Sequence, residues 1–319
     1  MTPRVSVIIP TKDRCELLDL ALASVRRLDG PDLDLEVLVC DNGSTDDTES
    51  VARRHGARFV QTLVPGAAAA RNAGLRAATG DYIAFLDDDD TWAPGHLRPH
   101  LALLEADPGL GGVVGRVQLV DRERTPFGQP GPETMPGNGR YFRPFLRHYP
   151  QIGATVVRAS VRETVGYLDE ALLGDEDWDW HLRLALRHRL GFVPVTSVHF
   201  LQRGPATRSE LEWERYRFFR RAFWRNVRRA GRERPRALTV ARIYLRHAGG
   251  YYHHFAETAA ACHRAGDSRG ARQWLRRAFL ASPAHAARDA LRASPLRAAL
   301  PAIYRRNAGQ AEPASAINS

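Results

Sequence analysis

The sequence predicts an α/β fold on a mostly parallel sheet flanked by helices, followed by a C-terminal α-helical extension. Two observations carry that reading. Short β-rich runs alternate with amphipathic segments over the first two hundred or so residues. That strand–helix rhythm suits parallel strands joined by helical crossovers. Beyond about Ser209 the strand signals stop and Arg-rich amphipathic helices take over.

The elements follow in order. Val5-Ser6-Val7-Ile8-Ile9 is a compact apolar run ending at Pro10, as expected of a strand buried on both faces. Residues 17–28 carry apolar side chains at helical spacing, and 35–40 read as a second strand. Ser44 and Asp46 are expected to cap a polar helix over 45–55. Residues 58–61 read as a strand, 67–78 as an alanine-rich helix, and 81–86 as a fourth strand stopped by four aspartates. Further strands are expected over 113–120, 154–158 and 192–200, with a helix over 176–189. The Pro- and Gly-rich stretch 124–139 reads as a long loop. Residues 256–281 resemble a helical hairpin turning at Gly266-Asp267. The domains expected are therefore 1–208, a helical extension 209–306, and a disordered tail 307–319.

Composition narrows the class. An apolar share of 44% is enough to bury a real core. No apolar run approaches the ~18 residues of a membrane span. The five-residue apolar run before Lys12 is too short for a signal-peptide core. Three scattered cysteines lack metal-ligand spacing and suit a reducing compartment. The expected location is cytoplasmic, with peripheral contact at the inner face of the membrane as an option. The net charge of +10 comes almost wholly from Arg, Lys12 being the sole lysine. This is read as compositional bias more than as selection for an anionic partner, and nucleic acid is not the expected one.

In open parallel sheets, ligands bind at the carboxyl ends of the strands. Pro10-Thr11-Lys12-Asp13-Arg14 follows the first strand, Asp41-Asn42-Gly43-Ser44 the second, and Asp87-Asp88-Asp89-Asp90 the fourth. Four adjacent carboxylates repel one another, and a hard divalent cation, Mg²⁺ or Mn²⁺, relieves that repulsion. The plainer reading is a solvated acidic turn, but its place after a buried strand favours the metal. Asp41 suits a ribose or base, and equally an Asx-turn. Arg71 either contacts a nucleotide or balances the aspartates. A second acidic cluster, Asp175-Glu176-Asp177-Trp178-Asp179, opens a helix whose dipole favours it. It can also supply a general base. Trp178 and Trp180 offer either a platform for a sugar ring or core packing, with core expected for one of them. No Gly-x-Gly-x-x-Gly follows the first strand, which argues against a dinucleotide cofactor.

Taken together, these residues resemble the inverting family 2 glycosyltransferases of the Rossmann-like GT-A fold. The similarity runs from Val5–Thr11 through Asp41–Asp46, Ala70–Gly74 and Gly80–Asp90 to Glu176–Asp179. The resemblance implies that Thr11, Asp13 and Asp41 hold base and ribose, with Arg71 nearby and Asp88 facing the ribose. Asp87 and Asp89 match the family's metal motif, and Asp177 its catalytic base. Glu176, Trp178 and Arg203 are further candidates for diphosphate or acceptor contact. The donor implied is a UDP- or TDP-sugar. The acceptor implied is a hydroxyl on a glycan, a lipid-linked glycan or a small molecule, in cell-surface glycan or glycoconjugate synthesis. The family often carries a His after the last strand. His199 falls too early for it, and Arg203 stands near that place. The alternatives are a nucleotidyltransferase, which would need a glycine-rich phosphate loop, and a basic nucleic-acid or membrane-surface protein. For the latter, residues 218–225, Phe-Phe-Arg-Arg-Ala-Phe-Trp-Arg, are the candidate stretch.

Overall fold

The computed structural model describes residues 2–28, 30–202 and 211–291. They fall into two compact units. One runs through residue 202 and takes in Phe218–Arg234; the other comprises residues 211–217 and 235–291.

The first unit opens with β1 (Arg4–Thr11), α1 (Cys15–Arg26), β2 (Asp34–Asp41), α2 (Thr48–Arg54), β3 (Arg58–Gln61), α3 (Ala67–Ala77) and β4 (Tyr82–Phe85). β1 pairs in parallel with β2 and β4, and β2 in parallel with β3, so the expected crossover rhythm is realised. Val5, Val7, Ile8 and Ile9 are all fully buried. A strand covered on both faces needs such a run. The helix over 45–55 begins later than expected. Its N-cap residue Asp47 makes no side-chain cap; instead Asp46 accepts from the N–H of Thr48, the first helical residue, at 3.1 Å through Oδ1 and from the Cys15 N–H through Oδ2, while Ser44 is committed to the N–H of Asp13.

α3 earns its place by being small. Ala68, Ala69, Ala70 and Ala73 are buried, and Gly74 lies against β1 and β2. A Cβ on Gly74 would sit 2.5 Å from Ile8 Cγ2 and 2.7 Å from Cys40 Sγ. Only a bare backbone lets this helix settle so close to the sheet.

The chain continues through β5 (Thr91–Trp92), α4 (Arg98–Ala106), β6 (Leu110–Val120), β7 (Pro126–Gly131), α5 (Phe142–Arg147), β8 (Thr155–Arg158), α6 (Val161–Val165), α7 (Glu176–Arg187) and β9 (Arg189–Leu201). The sheet order is β3-β2-β1-β4-β8-β6-β9-β5, with β7 on β6. β8 enters antiparallel between β4 and β6. β6 and β9 are parallel to each other, and β5 is antiparallel to β9. The stretch expected as one long loop contains β7, which folds back on β6 as an antiparallel hairpin. Its residues are mostly exposed, so no apolar alternation marked it.

α8 (Glu212–Arg229) supplies its residues from 218 onward to this unit. There Phe219 and Phe223 are fully buried against Trp178. The second unit holds α9 (Ala237–Arg264), α10 (Ser268–Ala281) and α11 (Pro283–Leu291). α9 and α10 form the expected hairpin. Gly266 has φ +79°, and the Asp267 side chain caps α10 by accepting from the Gly270 N–H at 2.8 Å. Ala259, Ala271 and Leu275 form its buried seam. Among the described residues, no helix is long and apolar enough to cross a membrane.

Candidate active site

The three polar strand ends meet at one edge of the sheet. Thr11 ends β1 and Asp41 ends β2, paired in register, and the aspartate run follows β4. Residues 87–90 form a tight turn in which the Asp90 N–H donates to the Asp87 carbonyl at 3.1 Å. The turn sorts the carboxylates. Asp87, Asp89 and Asp90 each bring one oxygen within 4.8 Å of the others. Asp88 is drawn off and 4% exposed: the Thr11 hydroxyl donates to Oδ2 at 2.9 Å and Arg14 to Oδ1 at 3.0 Å. Burial pushes the Asp88 pKa up to about 6 against the pull of Arg14. Both oxygens of the residue expected to face a ribose are thus engaged within the protein.

Asp90, not singled out from the sequence, is 1% exposed. Its Oδ1 accepts from the Leu201 N–H at 2.8 Å, while the buried Oδ2 meets no hydrogen-bond partner among the described residues. Burial, and then the charges of Asp87 and Asp89, push its pKa well above the ordinary range. An orphaned carboxylate oxygen beside two more carboxylates is costly unless a cation joins them. The donor set is all hard oxygen and fits Mg²⁺ or Mn²⁺. Behind it, Arg124 donates to the Asp89 carbonyl at 2.8 Å.

Arg71 joins the two acidic clusters. It sits on α3 with a side chain only 6% exposed. Nη2 meets Asp87 Oδ1 at 2.6 Å and Nη1 meets Glu176 Oε1 at 2.8 Å. Burial alone would lower its pKa, but the charges of Asp87, Glu176 and Asp177 override that and raise it. Asp177 therefore shares one electrostatic neighbourhood with the aspartate turn. Burial, and then the Glu176 charge, raise the Asp177 pKa to about 6, with Arg71 opposing. Its backbone is pinned: the Asp177 carbonyl lies 2.8 Å from His181 Nδ1, and His181 Nε2 lies 3.0 Å from Thr155 Oγ1.

The loops after β1 and β2 are buckled together. Asp13, at φ +49°, accepts from the Thr45 N–H at 2.7 Å and donates its own N–H to Ser44 Oγ at 2.8 Å. Asp41, 1% exposed, accepts from the N–H groups of Gly43 and Ser44 at 3.0 and 3.1 Å. That is the Asx-turn expected as one of its two readings.

Trp178 offers no platform to a ligand. It is 0% exposed, donates its indole N–H to the Phe145 carbonyl at 2.7 Å, and stacks on Phe219 at 5.7 Å. Trp180 is 2% exposed and donates to the Gly166 carbonyl. Two residues apart, they lie on opposite sides of α7, which is buried all round from Trp178 to Ala185, so the core reading holds for both. Asp179 is wholly buried and bound by Arg183, Arg225 and Asn226 at 2.9, 2.7 and 2.6 Å. It anchors the end of α8 to the helix that carries Asp177. Glu176 is 7% exposed and committed to Arg71. Arg203 lies outside the described residues. Three non-glycine residues have left-handed backbones among those described: Asp13, Arg124 and Asp175, at φ +49°, +63° and +59°. Asp13 fastens the loop after β1, Arg124 grips Asp89, and Asp175 precedes Glu176 and Asp177.

Known proteins resemble this chain in sequence and in fold. The family described as Glycosyl transferase family 2 matches residues 6–163. The GalNAc(5)-diNAcBac-PP-undecaprenol beta-1,3-glucosyltransferase of Campylobacter jejuni is 35% identical over 128 residues, which is 38% of this chain and 40% of that protein. The validoxylamine A glucosyltransferase of Streptomyces hygroscopicus subsp. jinggangensis is 39% identical over 106 residues, 31% of this chain and 25% of that protein. The match thus spans less than half of either relative. Residues 1–349 of S. aureus TarS, solved in complex with UDP-GlcNAc, superpose with a TM-score of 0.61 at 20% identity, covering 76% of this chain and 72% of that one. The mannosyltransferase PcManGT from Pyrobaculum calidifontis, solved with GDP-Man and Mn²⁺, superposes at 0.57 with 23% identity, covering 95% and 79%. At such identities the two structures speak for the fold, and the sequence match for the family. Residues 6–163 of this chain belong to glycosyl transferase family 2, on a fold of the GT-A type.

Proposed function

We propose that this protein is an inverting glycosyltransferase that moves a sugar from a nucleoside-diphosphate sugar to an acceptor hydroxyl. The observation that carries the reading is Arg71, which ties the aspartate turn to the helix bearing Asp177. A carboxylate base and an acidic cation site held in one neighbourhood suit a single displacement at an anomeric carbon. Asp177 takes the proton from the attacking hydroxyl. With a pKa near 6 it is largely ionised at neutral pH yet basic enough to accept that proton. Asp87 and Asp89, joined by Asp90, are the residues to hold Mg²⁺ or Mn²⁺, which when bound neutralises charge on the leaving diphosphate. Thr11, Asp13 and Asp41 shape the loops that receive the nucleotide. Asp88 supports them from below, through Thr11 and Arg14.

A uridine or thymidine diphosphate donor follows from the family resemblance. The complexes of the fold neighbours with UDP-GlcNAc and GDP-Man keep a guanosine donor in the comparison. The Campylobacter relative's name describes a lipid-linked acceptor, which supports an acceptor of that kind in cell-surface glycan or glycoconjugate synthesis. The division into a catalytic part ending at 208 and a helical extension from 209 to 306 belongs to the same reading. The extension serves the acceptor side or rests against an anionic membrane face.

Calorimetry with UDP, GDP and TDP tests the core of this, with Mn²⁺ and with chelator, on wild type and Asp89→Ala. One diphosphate should bind only with the metal, and the variant should lose that binding. Metal-independent binding, or no binding of any of the three, would refute it.

A further inference from the structure

Behind the aspartate turn lies a second concavity that the proposed reaction does not use. It has a volume of about 230 Å³ and is lined by Leu20, Ala23, Arg27, Thr91, Val120, Arg124 and His199. Its lining contains two arginines and a histidine and no carboxylate. Leu20, Ala23 and Val120 are its apolar lining.

One of the basic groups is poorly satisfied. Arg124 spends Nη1 on the Asp89 carbonyl, but its Nη2 is buried and meets no acceptor among the described residues. It holds this pose from a left-handed backbone at φ +63°, unfavourable for a residue with a Cβ. Arg27, the exposed residue that follows α1, lines the same space. His199 is half-buried opposite Thr91, and both arginines act on its ring electrostatically. A buried guanidinium nitrogen without an acceptor carries a cost that a bound anion relieves.

We propose that this pocket binds a phosphomonoester carrying a short apolar group, separately from the donor site. The phosphate meets Arg27, Arg124 and His199, while the apolar group lies along Leu20, Ala23 and Val120. Arg124 then touches the ligand with one nitrogen and the Asp89 backbone with the other, so occupancy steadies the turn that carries the acidic cluster.

The test titrates the full chain in EDTA, without nucleotide, with inorganic phosphate and with butyl phosphate. Without metal, the acidic cluster repels both probes, so the heat reports this pocket. Wild type should show saturable single-site binding, several-fold tighter for butyl phosphate. Arg27→Glu is the variant, since Arg27 is exposed and its side chain makes no hydrogen bond among the described residues. It should weaken both probes at least tenfold and leave metal-dependent diphosphate binding unchanged. No binding of either probe, no advantage for butyl phosphate, or equal binding by Arg27→Glu would each overturn the proposal. Failure of the metal-dependent diphosphate titration would sink the transferase reading and leave this one standing.

Discussion

Replacing Arg71 with Met tests whether the two acidic clusters truly depend on one cation. At separations of 2.6 and 2.8 Å, and an effective dielectric of about 20, each carboxylate contact is worth roughly 6 kcal/mol of gross attraction. Most of that is returned as desolvation, so the net cost of removing the cation is far smaller. Breaking a buried pair by deleting one partner costs about 3–5 kcal/mol. Asp87 is 25% exposed at its side chain and can recover some hydration, whereas Glu176 at 9% cannot. We therefore expect about 3–5 kcal/mol in total and not twice that. At about 2–4 °C per kcal/mol for a unit of this size, thermal unfolding should fall by roughly 6–20 °C. The deficit should also depend on pH. Arg71 opposes the upward shift of Asp177, so without it the Asp177 pKa moves above about 6. A carboxyl with a raised folded pKa costs stability when ionised and recovers it on protonation. The gap between variant and wild type should thus be wider at pH 8 than at pH 5.5. Urea melts at the two pH values measure it. A deficit below about 1 kcal/mol, or one that does not change with pH, would mean that the bridge does not organise the site.

Three further outcomes are expected. Asp177→Asn should lower the transfer rate by about 10² to 10⁴ while donor binding by calorimetry is retained; in wild type the rate should rise with pH through about 6, and the variant should lose that limb. His96 is 1% exposed, neither ring nitrogen meets a partner among the described residues, and burial and then His100 hold its pKa well below the ordinary value. The unfolded chain takes up a proton that the fold refuses, so stability is lost as pH falls below about 6.5. His96→Leu should accordingly gain on wild type by up to about 1.4 kcal/mol per pH unit below that point, and a gap that stays constant between pH 7.5 and 5.5 in urea melts would count against it. Trp178→Ala should cost about 3–5 kcal/mol of stability, read by denaturant melts, and selective loss of acceptor binding with stability intact would return Trp178 to the ligand surface.

β1, the second half of β2 and β4 were legible because they are buried on both faces and read as apolar runs, whereas β3, with no buried residue, was legible from its place in the strand–helix rhythm. Val5–Ile9 is the plainest case. The direction of β8 was not legible, since an apolar run such as Thr155–Arg158 looks the same in either orientation. β7 escaped notice because its exposed Pro and Gly residues carry no alternation. The candidate site divides in the same way. Acidic runs after strands announce themselves, but which carboxylate points where depends on one turn hydrogen bond, between Asp90 and Asp87. That bond brings Asp90 into the cluster and sends Asp88 to Thr11 and Arg14. Arg71 was legible as a candidate, but not as a bridge, because its partners lie 16 and 105 residues away. The tryptophans could be weighed only as two options until α8 was seen to cover Trp178.

The three left-handed residues have a consequence of their own. A residue with a Cβ pays roughly 1 kcal/mol or more to adopt that conformation, and glycine pays nothing. Asp13, Arg124 and Asp175 are thus places where a chain built for durability alone would carry glycine. Putting glycine at each relaxes the backbone and deletes the side chain together, so the sign of the change in melting temperature ranks the two at every position. Where glycine raises the melting temperature but lowers activity, the side chain is kept for the reaction at the expense of the fold.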